Sequence, residues 1–112
     1  MGAPRVGTVV VLRFPFSDLS RSKLRPAVVL ADAGRGDRIL CQVTSKAYAD
    51  DRAVAIGEDD FAQGSLRLTS YARPGKLFTA HSSLIEREAG GLTNASFTRL
   101  LDAVVAILRR GR

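Results

Sequence analysis

Two apolar runs, Arg25-Pro26-Ala27-Val28-Val29-Leu30 and Ile39-Leu40-Cys41-Gln42-Val43-Thr44-Ser45, flank a charged segment, Asp32 to Asp37, that holds two glycines. Runs of this length and β-branched content, separated by a glycine-bearing turn, predict an antiparallel hairpin. Such pairing brings Arg25, at the start of the first strand, beside Thr44 and Ser45 at the end of the second. A guanidinium donates to two oxygens at once and keeps its charge at any useful pH. Beside hydroxyls it makes a phosphate site, and that chemistry is the one the hairpin predicts.

The rest of the chain reads as more short strands. Val6 to Arg13 is apolar and β-branched, and Phe14-Pro15-Phe16 stops its ladder because proline has no N–H to give. Ser17 to Leu24 has neither strand nor helix periodicity and is expected to be an exposed, mobile loop, whose Arg21 and Lys23 lead into Arg25. Ala53 to Ile56 predicts a strand, and Asp59 to Gly64 one helical turn closed by glycine. Leu66, Leu68, Ser70 and Ala72 alternate with Arg67, Thr69, Tyr71 and Arg73 as in a strand with two unlike faces. Pro74-Gly75 signals a turn, Lys76 to Ala80 a returning strand, and Leu84 to Ala89 one more before Gly90-Gly91. Short strands at this spacing favour a small barrel or sandwich over a parallel sheet.

The last element differs. Thr93 or Asn94 can cap a helix in which Phe97, Leu100, Leu101, Val104 and Leu108 recur at intervals of three and four, giving an inward stripe. Val105 and Ile107 widen that stripe, and a partner subunit could cover the excess. Arg109, Arg110 and Arg112 suit the negative end of the helix dipole.

At 112 residues the chain fits one domain, spanning residues 1–112, and a net charge of +6 leans toward a polyanionic partner. No apolar run approaches the roughly 20 residues of a membrane span, and the start lacks the apolar stretch of a signal peptide, so a cytoplasmic protein without membrane contact is expected. The single cysteine, Cys41, reads as a buried, inert thiol. His81 is the only histidine, which leaves no zinc cluster, and it is expected to sit solvated before Ser82-Ser83. Glu58, Asp59 and Asp60 could hold magnesium but read better as the first turn of a helix. No metal or other cofactor is expected. Phe14, Phe16 and Tyr71 have two readings, as core residues or as stacking partners for a nucleobase.

Taken together, these segments resemble the MazF/PemK family of type II toxins, endoribonucleases also called mRNA interferases. The likeness runs from Gly7 through Pro15-Phe16-Ser17-Asp18-Leu19-Ser20, Arg25 to Leu30, and Gln42-Val43-Thr44-Ser45. It continues with Asp60-Phe61, Gly64-Ser65-Leu66, Ser70-Tyr71, Arg73-Pro74 and Lys76-Leu77-Phe78-Thr79. The resemblance implies a mainly β fold, an SH3-like antiparallel barrel with a C-terminal α-helix, assembled as a homodimer. It implies metal-independent cutting of single-stranded RNA at short sequences, and a cognate antitoxin that blocks the RNA groove.

Carried over by position, the resemblance makes Arg25 and Thr44 catalytic, and the loop from Ser17 to Leu24 the gate of the RNA site. Candidate RNA contacts are Phe16, Asp18, Lys23, Ser45, Arg73 and Lys76. One departure stands out: Ala72 falls near the position where some relatives carry an aspartate assigned as general base, which leaves the base open. Two other readings remain beside the nuclease, namely a gyrase-binding toxin of the CcdB kind, which shares the barrel, and an RNA-binding barrel that has lost cleavage.

Overall fold

A computed structural model of the chain describes residues 4–14, 23–46 and 50–111. Seven strands and one helix follow one another: β1 (Thr8–Arg13), β2 (Leu24–Gly34), β3 (Asp37–Thr44), β4 (Val54–Ile56), β5 (Phe61–Gly64), β6 (Ser70–His81), β7 (Ile85–Leu92) and α1 (Asn94–Arg110). The strands form a single antiparallel sheet in the order β4-β6-β3-β2-β1-β7-β5, curled into a half-barrel. This is the SH3-like, mainly β architecture that the sequence resemblance implies.

Alternation along the strands gives the sheet two apolar faces. Val9, Val28, Cys41 and Val43 lie on one, where Leu100 and Val104 of α1 join them. Val10, Ala27, Val29, Leu40 and Phe78 lie on the other. Phe14 belongs to this second cluster and packs its ring against Phe78 with centroids 4.9 Å apart, so it is a core residue. Strands buried on both faces lose the clean polar alternation of a one-sided sheet, which is why β1, β2 and β3 read as continuous apolar runs.

The β2–β3 hairpin closes on Gly34, Arg35 and Gly36, all at positive φ, a conformation open to glycine and tolerated at one exposed arginine. Asp32 fixes this turn from the side: its Oδ1 accepts from the Gly34 N–H at 2.8 Å and from the Arg38 guanidinium at 3.0 Å.

Several elements depart from the sequence expectation. Residues 59–64 do not form one helical turn. A 3-10 turn covers Glu58–Asp60 and the chain then extends as β5, pairing with β7. The strand expected from Leu66 begins only at Ser70, because Arg67 takes a positive φ of 67° and bends the segment before it. Pro74-Gly75 is not a turn but lies within the continuous strand β6, where the ladder to β3 breaks register between Cys41 and Val43. That irregularity is what lets a buried proline without an N–H sit inside a sheet. Strand β7 also runs through Gly90-Gly91 to Leu92.

The helix begins where expected: the Thr93 hydroxyl accepts from the Ser96 N–H at 3.1 Å. Its inward row is narrower than the stripe read from sequence. Leu100 and Val104 are buried, whereas Leu101, Val105 and Leu108 form a neighbouring row that stays exposed. Spacing of three and four is satisfied by both rows, and only contact with the sheet distinguishes them.

One polar cluster ties the helix to the 3-10 turn. Asp60 accepts from the Gly57 N–H at 2.8 Å, the Ser96 hydroxyl at 2.6 Å and the Arg99 guanidinium at 3.1 Å. Partial burial raises the Asp60 pKa, but these donors, led by Ser96, outweigh it and hold the carboxyl below its ordinary 3.8. A carboxyl so depressed adds stability that is present above its unfolded pKa and lost as pH falls through the folded value. Asp60→Ala should therefore lower stability at neutral pH by about 1 to 3 kcal/mol, the worth of hydrogen bonds to a charged group. In urea melts the gap between variant and wild type should shrink as pH drops below about 4, near the unfolded Asp value.

Candidate functional site

Strand β2 begins and β3 ends at the same end of the sheet. Their ladder pairs Ala27 with Gln42, Val28 with Cys41 and Val29 with Leu40. The same register carried two residues further sets Arg25 across from Thr44, on one face of the sheet. Both line an open cleft of about 380 Å³ at these strand ends, together with Ser45 and Lys46. The aliphatic lining comes from Val11, Pro26 and Val43 on the central strands and from Leu24, Leu66 and Leu68. Arg87 completes the lining from β7, where its register opposite Val11 of β1 carries it to this end of the sheet.

Among the described residues, charge in the cleft has one sign: Arg25, Lys46 and Arg87 make no ion pair, and no described lining residue is a carboxylate. Elsewhere three arginines meet carboxylates closely: Arg38 with Asp32 at 3.0 Å, Arg99 with Asp60 at 3.1 Å, Arg73 with Asp50 at 3.3 Å. Three uncompensated cations in one concavity focus a positive potential and favour an anion.

Thr44 is oriented by the backbone. Its Oγ1 accepts from the Lys46 N–H at 3.1 Å, which occupies a lone pair and leaves the hydroxyl proton to donate elsewhere. Thr44 also stands across from Tyr71 of β6.

The remaining sequence candidates sit outside this group. Lys23 is exposed one residue before β2, and Lys76 is exposed on β6; neither lines the cleft. Arg73 does not line it either, and its guanidinium engages Asp50. Phe16 and Asp18 lie outside the described residues, as does most of the loop read as a gate. Ala72 is fully buried opposite Val43, so its side chain belongs to the core and not to the cleft. His81 is exposed, and its Nδ1 accepts from the Ser83 N–H at 3.1 Å, a local turn contact away from the cleft.

Two cleft cations were not picked out by sequence reasoning. Lys46 directly follows Thr44-Ser45 and could have been found from that adjacency. Arg87 reaches the site only through the β1–β7 pairing, for which local sequence carries no signal.

Cys41 is buried beneath this end of the sheet, and its thiol donates to the Arg73 carbonyl at 3.1 Å. Burial pushes its pKa up from 9.0 to about 12, with the hydrogen bond to Arg73 opposing and Asp50 adding to the rise. The reactive species is the thiolate, so this thiol is inert. Iodoacetamide at pH 8 should leave native protein unmodified over hours by mass spectrometry and should label Cys41 once urea unfolds the chain.

A family model described as "PemK-like, MazF-like toxin of type II toxin-antitoxin system" matches residues 5–108. No curated protein matches the chain in sequence. Among solved structures, MazF from Deinococcus radiodurans superposes with a TM-score of 0.75 at 18% identity, over 97% of this chain and 99% of that one. The MazE-MazF structure from the same organism gives a TM-score of 0.75 at 20% identity, over 98% and 99%. An endoribonuclease in complex with its cognate antitoxin, from a mycobacterial species, gives 0.74 at 18% identity, over 97% and 96%.

Proposed function

Because the chain belongs to the PemK-like, MazF-like toxins of type II toxin-antitoxin systems, we propose that it acts as an endoribonuclease on single-stranded RNA in the cytoplasm, without a metal ion. The observation that carries this reading is the meeting of Arg25, Thr44 and Ser45 with Lys46 and Arg87 in one cleft whose described lining holds no carboxylate.

In the proposed reaction the ribose 2′-oxygen attacks the adjacent phosphorus. The new P–O2′ bond forms as the P–O5′ bond breaks, leaving a 2′,3′-cyclic phosphate on one fragment and a 5′-hydroxyl on the other. The 2′-hydroxyl loses its proton and the departing 5′-oxygen gains one. Nucleophile and electrophile belong to the same nucleotide, so the protein supplies orientation and charge and needs neither a reactive serine nor a metal-bound water. Negative charge grows on the non-bridging oxygens in the pentacoordinate state. Arg25 donates to them as a charged fork, and Thr44, its hydroxyl already turned by Lys46, donates a second bond. Ser45, Lys46 and Arg87 hold the flanking phosphates, with Lys23 and Lys76 extending the positive path. Arg73 contributes at longer range, since Asp50 already holds it.

Two partners complete the proposal. One is a cognate antitoxin, which would cover the cleft; the mycobacterial endoribonuclease is itself bound to one. The other is a second copy of this chain, for which the exposed row Leu101, Val105 and Leu108 on α1 offers a contact face.

Incubation with a long RNA in EDTA tests the chemistry: cyclic-phosphate ends should appear, and retention of RNA without cutting would mean a barrel that binds but has lost cleavage. Arg25→Ala and Thr44→Ala should each lower the cleavage rate by about 10² to 10³, as loss of one transition-state donor does, at unchanged melting temperature. Full activity in both variants would place the site elsewhere. Leu108→Glu should convert a dimer into monomers by sedimentation velocity, and a wild type that sediments as a monomer at high concentration would remove the second copy.

A further inference from the structure

We propose that the segment Ser65 to Thr69 is a wall that seats one unpaired nucleobase against Leu24, Leu66 and Leu68, and so selects the nucleotide accepted beside the cut. The inference rests on the RNA-cleaving reading above and names a specificity element of the same cleft.

Its first support is the mixed chemistry of the cleft. Leu24 is 46% and Leu68 68% exposed, yet both line the cavity that Arg25, Lys46 and Arg87 make cationic. Large aliphatic side chains this exposed contribute little to the core. A nucleotide is the ligand that matches both parts, with an anionic phosphate for the cations and a flat base face for the leucines.

The second support is that the wall is held in a defined shape. The Ser65 hydroxyl accepts from the Arg67 N–H at 2.8 Å, and the Ser70 hydroxyl donates to the Leu68 carbonyl at 3.1 Å. Between these contacts Arg67 takes its left-handed conformation, which turns the chain so that Leu66 and Leu68 both reach the cleft. The Ser65 N–H also donates to the Ala89 carbonyl at 3.3 Å, tying the wall to β7 two residues from Arg87.

The third support is what lies beyond. Leu68 also lines a second hollow of about 450 Å³ formed with Glu58, Asp59, Asp60, Arg67 and Thr69. With Asp60 held by Arg99 and Arg67 in the lining, Glu58 and Asp59 still leave this hollow less favourable to phosphate than the cationic cleft, and Leu68 is the divider a base meets. In a duplex the base faces are covered by stacking, so the wall also favours a single strand.

Leu68→Ala tests this without threatening the fold, because the side chain is exposed. Sequencing the 5′ ends of RNA fragments should show a changed base preference at one position next to the cut. On the preferred oligonucleotide KM should rise roughly tenfold, the scale of a lost apolar contact in a pocket, with kcat nearly retained. Leu68→Met should restore the preference. Binding of an oligonucleotide with a 2′-deoxy sugar at the cut should weaken in the same proportion. An active Leu68→Ala enzyme with unchanged preference and affinity would overturn the wall. A wild type that binds the deoxy oligonucleotide more tightly than Leu68→Ala, yet cuts no RNA, would keep the wall and sink the nuclease.

Discussion

Everything at the candidate site depends on the register of one ladder. At the hairpin turn Gly34 pairs with Asp37, but one residue slips between Asp32 and Gly34 and another between Val29 and Ala31. Carried unbroken from the turn, the pairing would place Arg25 opposite Lys46. The two irregularities together bring it opposite Thr44. Because side chains alternate between faces, a single slip alone would have sent one of the two partners to the far side of the sheet. The bulges are thus part of the site, although they lie many residues from it, and Asp32 with its two bonds to the turn belongs to the same device.

How much of this was legible in the sequence follows from the range of each interaction. The hairpin was, because its apolar runs and glycine turn are local. So was the Thr93 cap, since an N-cap hydroxyl acts within one helical turn. The pairing of Arg25 with Thr44 could be expected from antiparallel direction alone, but the bulges that complete it could not. Pro74-Gly75 misled because a proline-glycine pair signals a turn in isolation, whereas here a break in the β3–β6 ladder absorbs it. The exposed row of α1 could not be told from the buried one, since both satisfy helical spacing. Arg87 was hidden for a different reason: it is brought in by a partner strand distant in sequence, as Val11 pairs with it across β1 and β7.

The electrostatic pattern divides some of the arginines in a way that sequence position does not. Arg38, Arg73 and Arg99 each meet a carboxylate and fasten a turn, a strand and a helix. Arg25 and Arg87 face a cleft with no carboxylate among its described lining residues. Concentrating unmatched cations costs stability through mutual repulsion, and binding an anion offsets that cost. A basic net charge alone could not have shown this, because it does not say which cations are already neutralised.

The close approach of β5 to β7 has a consequence for how this molecule can vary. Gly64 and Gly90 face each other in the pairing, and a Cβ at either would strike backbone of the other strand, the Ala89 carbonyl in one case and the Gln63 carbonyl in the other. Gly64 is also the last residue before Ser65. A methyl group there would do more than loosen an edge strand: it would act as a shim, prying the neighbouring segment outward and changing the width of the cleft that Leu66 and Leu68 line. Tolerance at these two closely apposed positions is therefore set jointly by packing and by the width of the cleft, and neither constraint can relax without the other.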